Sequence, residues 1–293
     1  MNKEEKFLNI IKSTLKDATF IGDDCAYIEE FNLTISQDTL IEDVHFSLEY
    51  MTPYEIGQKA LLVNISDILA SGARPYGATI SLSGKLDEGF ISEFYKGIEE
   101  VAKEHNLKIL GGDLTGGDKI AVSISILGNA KKRKISSRKN AKTGYIVAIK
   151  GIFGRSHLGF LELTKGENGN FSKYHKKPEL YPKTAQMISE NCKEEYALMD
   201  SSDGLFDCLK KITKESKVGA SIGYNLIPKA TNDFNTTLFG GEDFALVGAF
   251  SKDDFEKLQN LGAELTKIGE IIEKEGVFVD NEEILEDKSY EHF

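Results

Sequence analysis

The stretch from Lys59 to Pro75, KALLVNISDILASGARP, constrains this chain more than any other. From Ala60 to Ala70 it is apolar almost all the way round, so it reads as a helix buried on every side and not as a surface helix. Asp67 lies inside that run, on one face with Val63 and Ala60, and Asn64 lies on an adjoining line. A carboxylate buried alone is strongly unfavourable, so it must be protonated, paired with a base or bound to a metal. Bases are scarce nearby, while acids next to small residues recur at Asp23/Asp24, Asp38, Asp113, Asp200/Asp203 and Glu242/Asp243. That recurrence favours metal over an Asp hydrogen-bonded to neighbouring backbone.

At 293 residues the chain suits two domains of ordinary size. No apolar run reaches the length of a membrane span, and the N-terminal segment opens an amphipathic helix, not a signal peptide. Cys25, Cys192 and Cys208 form no CxxC pair, which points to a reducing compartment, the cytoplasm, and away from structural zinc. A net charge of −11 disfavours nucleic acid and anionic membranes as partners. An anionic substrate remains compatible with that charge if divalent cations bridge the two.

In chain order the periodicity predicts a helix over 3–15, strands near 24–28 and 33–41, the buried helix with Thr52-Pro53 at its start, and a strand over 78–83. A helix over 88–105 follows, then a strand over 107–110 running into Gly111-Gly-Asp113, and a strand over 120–127. The basic segment 131–139 reads as an exposed link, which sets domains at 1–140 and 141–293. The second half opens with a strand over 145–149 and a helix from about Ser156; the polar stretch 165–177 reads as a loop. Asp200-Ser-Ser-Asp-Gly204 leads into a helix over 205–212, and the Gly-rich turn at 240–243 feeds a strand. The alternation of strands and helices implies an α/β or α+β layered fold.

Most of the acids lie where a strand or loop meets a turn or helix, so side chains from different elements can converge. Hard oxygen ligands suit several Mg²⁺ ions, which join carboxylates to substrate phosphates. A P-loop is excluded: Gly112 and Gly117 stand at the right spacing, but Asp118 occupies the place of the phosphate-binding Lys. Any nucleotide must be held by metal and by turn backbone.

IGDDCA at 21–26, SQDTL at 36–40 with His45-Phe46, NISD at 64–67 with GARP at 72–75, GGD at 111–113, DSSDG at 200–204 and GGEDF at 240–244 occur in this order across almost the whole chain. Together they resemble the thiamine-monophosphate kinases, of the aminoimidazole ribonucleotide synthetase-like superfamily of ATP users. The resemblance implies two α/β domains, each a mixed sheet packed with helices, a homodimer through the N-terminal sheets, and several Mg²⁺ ions. It implies transfer of the ATP γ-phosphoryl group to thiamine monophosphate. By the same resemblance Asp24, Ser36, Gln37 (through its carbonyl), Asp38, Asp67, Asp113, Asp200 and Asp203 match metal positions. Gly112, Asp113, Arg138 and Ser202 match nucleotide contacts, and His45, Glu242 and the terminal aromatic Phe293 match substrate contacts.

Departures from the family pattern are Ser201 between the paired aspartates, Leu114 after Gly-Gly-Asp, and a loosely matched segment before Asp200. The acceptor would be a phosphate oxygen, already anionic near neutral pH, so no residue is expected to act as general base; positioning and charge neutralisation would suffice for direct in-line transfer. Alternatives are another ATP-using enzyme of the superfamily, of the aminoimidazole ribonucleotide synthetase or selenophosphate synthetase type, or a non-catalytic nucleotide- and Mg²⁺-binding regulator.

Overall fold

The long apolar segment is a helix, α2 (Pro53–Ala70), and the rest of the first half is wrapped around it. Pro53 opens it, and Thr52 and Glu55 exchange the reciprocal bonds of a capping box. Ile56, Ala60, Leu61, Ile65, Ile68 and Ala70 are all fully buried, so no face of the helix is wet. The computed structural model describes residues 3–290. A terminal helix α1 (Lys3–Thr14) precedes a five-stranded sheet made of β1 (Ala26–Ile28), β2 (Leu33–Ile41), β3 (Arg74–Gly84), β4 (Lys108–Gly116) and β5 (Ala121–Asn129). Its order is β1-β2-β5-β3-β4, antiparallel except for the β3–β4 pair. Helix α3 (Glu88–Glu104) makes the crossover between those parallel strands. It packs on α2 so closely that a Cβ at Gly97 would stand 2.0 Å from the Tyr54 carbonyl oxygen and one at Gly57 2.2 Å from that of Phe94. Glycine at both positions is what permits the approach.

The second half holds a seven-stranded sheet of β6 (Ile146–Lys150), β7 (Ala197–Asp200), β8 (Gly219–Ile222), β9 (Leu246–Phe250), β10 (Thr266–Ile272), β11 (Gly276–Val279) and β12 (Glu282–Glu283). The order is β12-β11-β8-β10-β6-β9-β7. Its helices are α4 (Arg155–Thr164), α5 (Ser172–Lys176), α6 (Pro182–Asn191), α7 (Leu205–Ser216), α8 (Phe234–Phe239) and α9 (Lys252–Asn260). Leu205, Leu209, Ile212 and Leu238, from α7 and α8, pack with Val147, Ile149 and Met199 in one core. Ala185, Ile188 and Leu258, from α6 and α9, pack with Ile146, Ala148 and Leu198 in a core continuous with that around α2. The two sheets are thus joined by a shared apolar layer as well as by a link.

Three segments differ from the sequence reading. Strand β4 does not stop before the glycines but runs through them, because Gly112 lies against β3: a Cβ there would be 1.9 Å from the Ile80 carbonyl oxygen. The stretch read as a loop contains α5, whose entrance is fixed by the Glu162 carboxylate, 2.8–2.9 Å from the Phe171 N–H, the Ser172 N–H and the Ser172 hydroxyl. The basic segment 131–139 is solvated only in part: Lys131, Lys132 and Lys139 are exposed, but its two arginines are not. Arg133, with a side chain 9% exposed, reaches Gly72 O, Ser189 Oγ and Glu190, and Arg138 is half-buried. Their guanidinium groups find fixed acceptors on both halves, which a flexible link would not supply.

Candidate active site

Asp24 lies just before β1, Asp67 in the last turn of α2, and Asp200 at the end of β7. One carboxylate oxygen from each lies within 4.8 Å of those of the other two. Ser36, on β2, sets its hydroxyl 2.5 Å from Asp67 Oδ2 and 3.0 Å from the Asp24 carbonyl oxygen. Asn64, one turn before Asp67, accepts from the Asp38 N–H at 3.1 Å and donates to Ala60 O at 2.9 Å, so helix and strand are locked in register. Burial, then the charges of Asp38, Asp200 and Asp24, push the Asp67 carboxyl well above the usual range. Burial and the Asp24 and Asp38 charges push that of Asp200 up to about 7. Asp200 Oδ2 is buried and has no hydrogen-bond partner. A cluster of all-oxygen donors that repel one another, one with an orphaned oxygen, fits a hard divalent cation.

Arg138 pairs with Asp24 and donates from Nη1 to Gly22 O at 3.2 Å, while its backbone N–H and the Ser137 hydroxyl hold Asp23 at 2.8 Å each. Although burial opposes it, the Asp24 charge raises the affinity of Arg138 for its proton. Asp203 stands outside the triad: its carboxylate meets Lys211 at 3.3 Å, and Ser202 Oγ lies 3.4 Å from it. The Gly-rich turn folds onto this segment, with the Glu242 N–H bonded to Ser202 O at 2.6 Å. Ser201 is fully buried and accepts from the Ala245 N–H at 2.9 Å, so the hydroxyl that departs from the family pattern joins turn to strand. Asp243 turns away to accept from Gly154 and Ser156 at the start of α4. Gln37 points its side chain to the other face of β2, against Ser123 and Ser125. Asp113 and Gly112 lie on β4, exposed along its whole length and three strands from β2, about 14 Å at ordinary strand spacing.

Residues 22–130 match the family described as AIR synthase related protein, N-terminal domain. The thiamine-monophosphate kinase of Bacillus subtilis is 35% identical over 93% of this chain and 93% of its own, and that of Aquifex aeolicus 31% over 98% and 96%. A solved structure described as AaThiL complexed with AMPPCP and TMP superposes with a TM-score of 0.88, at 28% identity, over 100% of this chain and 99% of that one. The chain belongs to the thiamine-monophosphate kinase family. The two-sheet α/β architecture expected from the resemblance is the one found.

Two of the residues expected to contact substrate, His45 and Glu242, are brought together through Lys59. His45 is half-buried; its Nδ1 accepts from the Ile41 N–H at 3.1 Å, and its carbonyl oxygen accepts from Lys59 at 2.9 Å. Glu242 carries its charge against two fixed partners. It pairs with the fully buried Lys59 at 2.9 Å and with His175 of α5 at 3.1 Å. Burial would raise the Glu242 carboxyl, but the Lys59 ammonium and the His175 N–H outweigh it and hold it at about 2. Phe293 lies outside the described residues. Sequence reasoning missed Lys59 and His175. Lys59 carried a usable signal, being a lone charge opening the same apolar run that singled out Asp67; His175 sat in a polar stretch with no periodicity and carried none.

Proposed function

We propose that this chain transfers the γ-phosphoryl group of ATP to thiamine monophosphate, giving thiamine diphosphate and ADP, by one direct in-line displacement. The supporting observation is the Asp24–Asp67–Asp200 cluster with its unpartnered Asp200 oxygen, in a chain matching thiamine-monophosphate kinases from end to end. Asp24, Ser36, the Gln37 carbonyl, Asp38, Asp67, Asp200 and Asp203 would hold several Mg²⁺ ions, while Asp113, matched to a metal position by resemblance, stands apart on the exposed edge of β4. When bound, these ions neutralise the charge crowded onto two phosphate groups. Arg138 places a delocalised cation beside Asp24, on the nucleotide side, where Ser202 and Gly112 are further nucleotide contacts by resemblance. His45 and Glu242 line the acceptor side, and Phe293 is a further substrate contact by resemblance alone. Because the acceptor oxygen is already anionic, these side chains orient and exclude water and need not remove a proton.

The working unit is a homodimer. Strand β4 leaves nine residues of an unpaired edge exposed, with Ile109, Leu110 and Leu114 among them, an arrangement that invites pairing with a second copy. Among the described residues no helix is long and apolar enough to cross a membrane; three free thiols support a cytoplasmic location. The test is ADP release with ATP and Mg²⁺ against a panel of phosphorylated acceptors. Thiamine monophosphate should be the acceptor that stimulates turnover and appears as its diphosphate. ATP binding without transfer to any acceptor would favour the regulator reading instead.

A further inference from the structure

The residues around Glu242 form a network that the phosphoryl-transfer chemistry does not by itself require. Lys59 has no exposed surface. Its ammonium has three protons and meets three acceptors: the Glu242 carboxylate at 2.9 and 3.1 Å, His45 O at 2.9 Å, and His175 Nε2 at 3.5 Å. The His175 ring closes the circuit, with Nδ1 3.1 Å from Glu242 and 3.3 Å from Ser156 Oγ. A neutral imidazole carrying its proton on Nδ1 donates to Glu242 and leaves Nε2 to accept from Lys59, and burial with the nearby Lys59 charge lowers the pKa of His175 and keeps it neutral. Glu242 sits at φ +64°, a left-handed conformation uncommon for a side-chain-bearing residue, so something must hold the turn there. The side chain keeps 29% of its surface exposed, while its oxygens are gripped from behind.

We infer that Lys59 is the positioning residue of the acceptor pocket, fixing Glu242, His45 and the α5 segment from one buried ammonium. The inference rests on the kinase reading proposed above and adds a residue to it. Lys59 and Asp67 are eight residues apart on α2, an axial distance of about 12 Å. A single rigid helix therefore carries both the anchor of the acceptor side and a carboxylate of the metal cluster. The distance between pocket and cluster is set by helix geometry and not by loop closure. Because Lys59 already compensates the Glu242 charge, that carboxylate serves as a directed hydrogen-bond acceptor and not as a free counter-charge for a cationic substrate.

The test is steady-state kinetics of Lys59→Met, each substrate varied in turn, with the native fold checked by circular dichroism. The Michaelis constant for thiamine monophosphate should rise about ten-fold or more, the scale of losing one charge-assisted hydrogen bond, and that for ATP should stay within about two-fold. Lys59→Arg, which keeps the charge, should recover part of the loss. Equal changes in both constants, or none, would overturn the inference. If Lys59→Met does not fold, Lys59→Met/Glu242→Gln removes both charges together and carries the test. Its constant for thiamine monophosphate should lie no more than about three-fold above that of Glu242→Gln alone, since the carboxylate carries most of the ammonium's hold and His45 O and His175 the rest; a further ten-fold loss, or an equal change in the constant for ATP, would overturn the role. Failure of wild-type protein to phosphorylate thiamine monophosphate would instead refute the functional reading, and the two failures are distinguishable.

Discussion

Replacing Asp200 by Asn should stabilise the metal-free protein while it removes activity. Asp200 is 3% exposed, one of its oxygens has no partner, and Asp24 and Asp38 repel its charge. An acid whose folded pKa lies above its unfolded value binds more protons folded than unfolded between the two, so stability falls as pH rises through that window. Here the window runs from the ordinary 3.8 to about 7. Borne by one group, a rise of that size corresponds to about 4 kcal/mol at 1.36 kcal/mol per pH unit. The repulsion is shared with neighbouring carboxylates, so the expected gain on substitution is about 1–4 kcal/mol above the window. Urea unfolding of both proteins in excess chelator, from pH 4 to 8, reads it directly. Asp200→Asn should be the more stable at pH 8, with the difference shrinking towards zero near pH 4. Millimolar Mg²⁺ should then raise the wild type more than the variant, because binding to the native state adds stability by mass action. A variant less stable than wild type at pH 8 in chelator, or a difference that ignores pH, would refute the crowded-carboxylate reasoning.

Activity should depend strictly on a divalent cation, since Asp118 stands in place of a phosphate-binding Lys and the Asp24–Asp67–Asp200 carboxylates would repel the ATP phosphates without one; turnover persisting in excess chelator would contradict this. Removing Phe293 should raise the Michaelis constant for thiamine monophosphate more than that for ATP, by a factor matching the about 0.5–2 kcal/mol of an aromatic contact to a cation, as steady-state kinetics of the 1–292 chain will show. Leu114→Glu, on the exposed edge of β4, should shift the protein from dimer to monomer in sedimentation equilibrium; an unchanged mass would place the interface elsewhere.

How far the sequence could be read depended on whether a residue's role is local. Helix α2 was legible because burial on all sides leaves an unbroken apolar signature, and Asp67 stood out as the residue that violates it. Asp24 and Asp200 were legible as acids beside small residues, but that Asp24, Asp67 and Asp200 share one centre, while Asp113 stands apart on a sheet edge, depends on strand order, which no local pattern encodes. Strand β4 was cut short because two consecutive glycines read as a turn; Gly112 is there because β3 approaches closely, a tertiary fact, while Gly111 has open space beside it and a φ of +154°. Helix α5 was hidden because five residues show no period, and what fixes it is the Glu162 carboxylate some ten positions away. Lys59 and Glu242 are 183 residues apart, so their pairing was beyond any reading of spacing.

The central claim is that this cluster of carboxylates supports direct transfer to thiamine monophosphate. It is tested most directly by quantifying ADP and thiamine diphosphate in the same reactions for the wild type and for Asp67→Asn, which keeps the shape of the side chain and removes its charge. The account predicts equal amounts of the two products from the wild type, and turnover lower by orders of magnitude in a folded variant. ADP formed without thiamine diphosphate, or an Asp67→Asn protein with wild-type turnover, would contradict it.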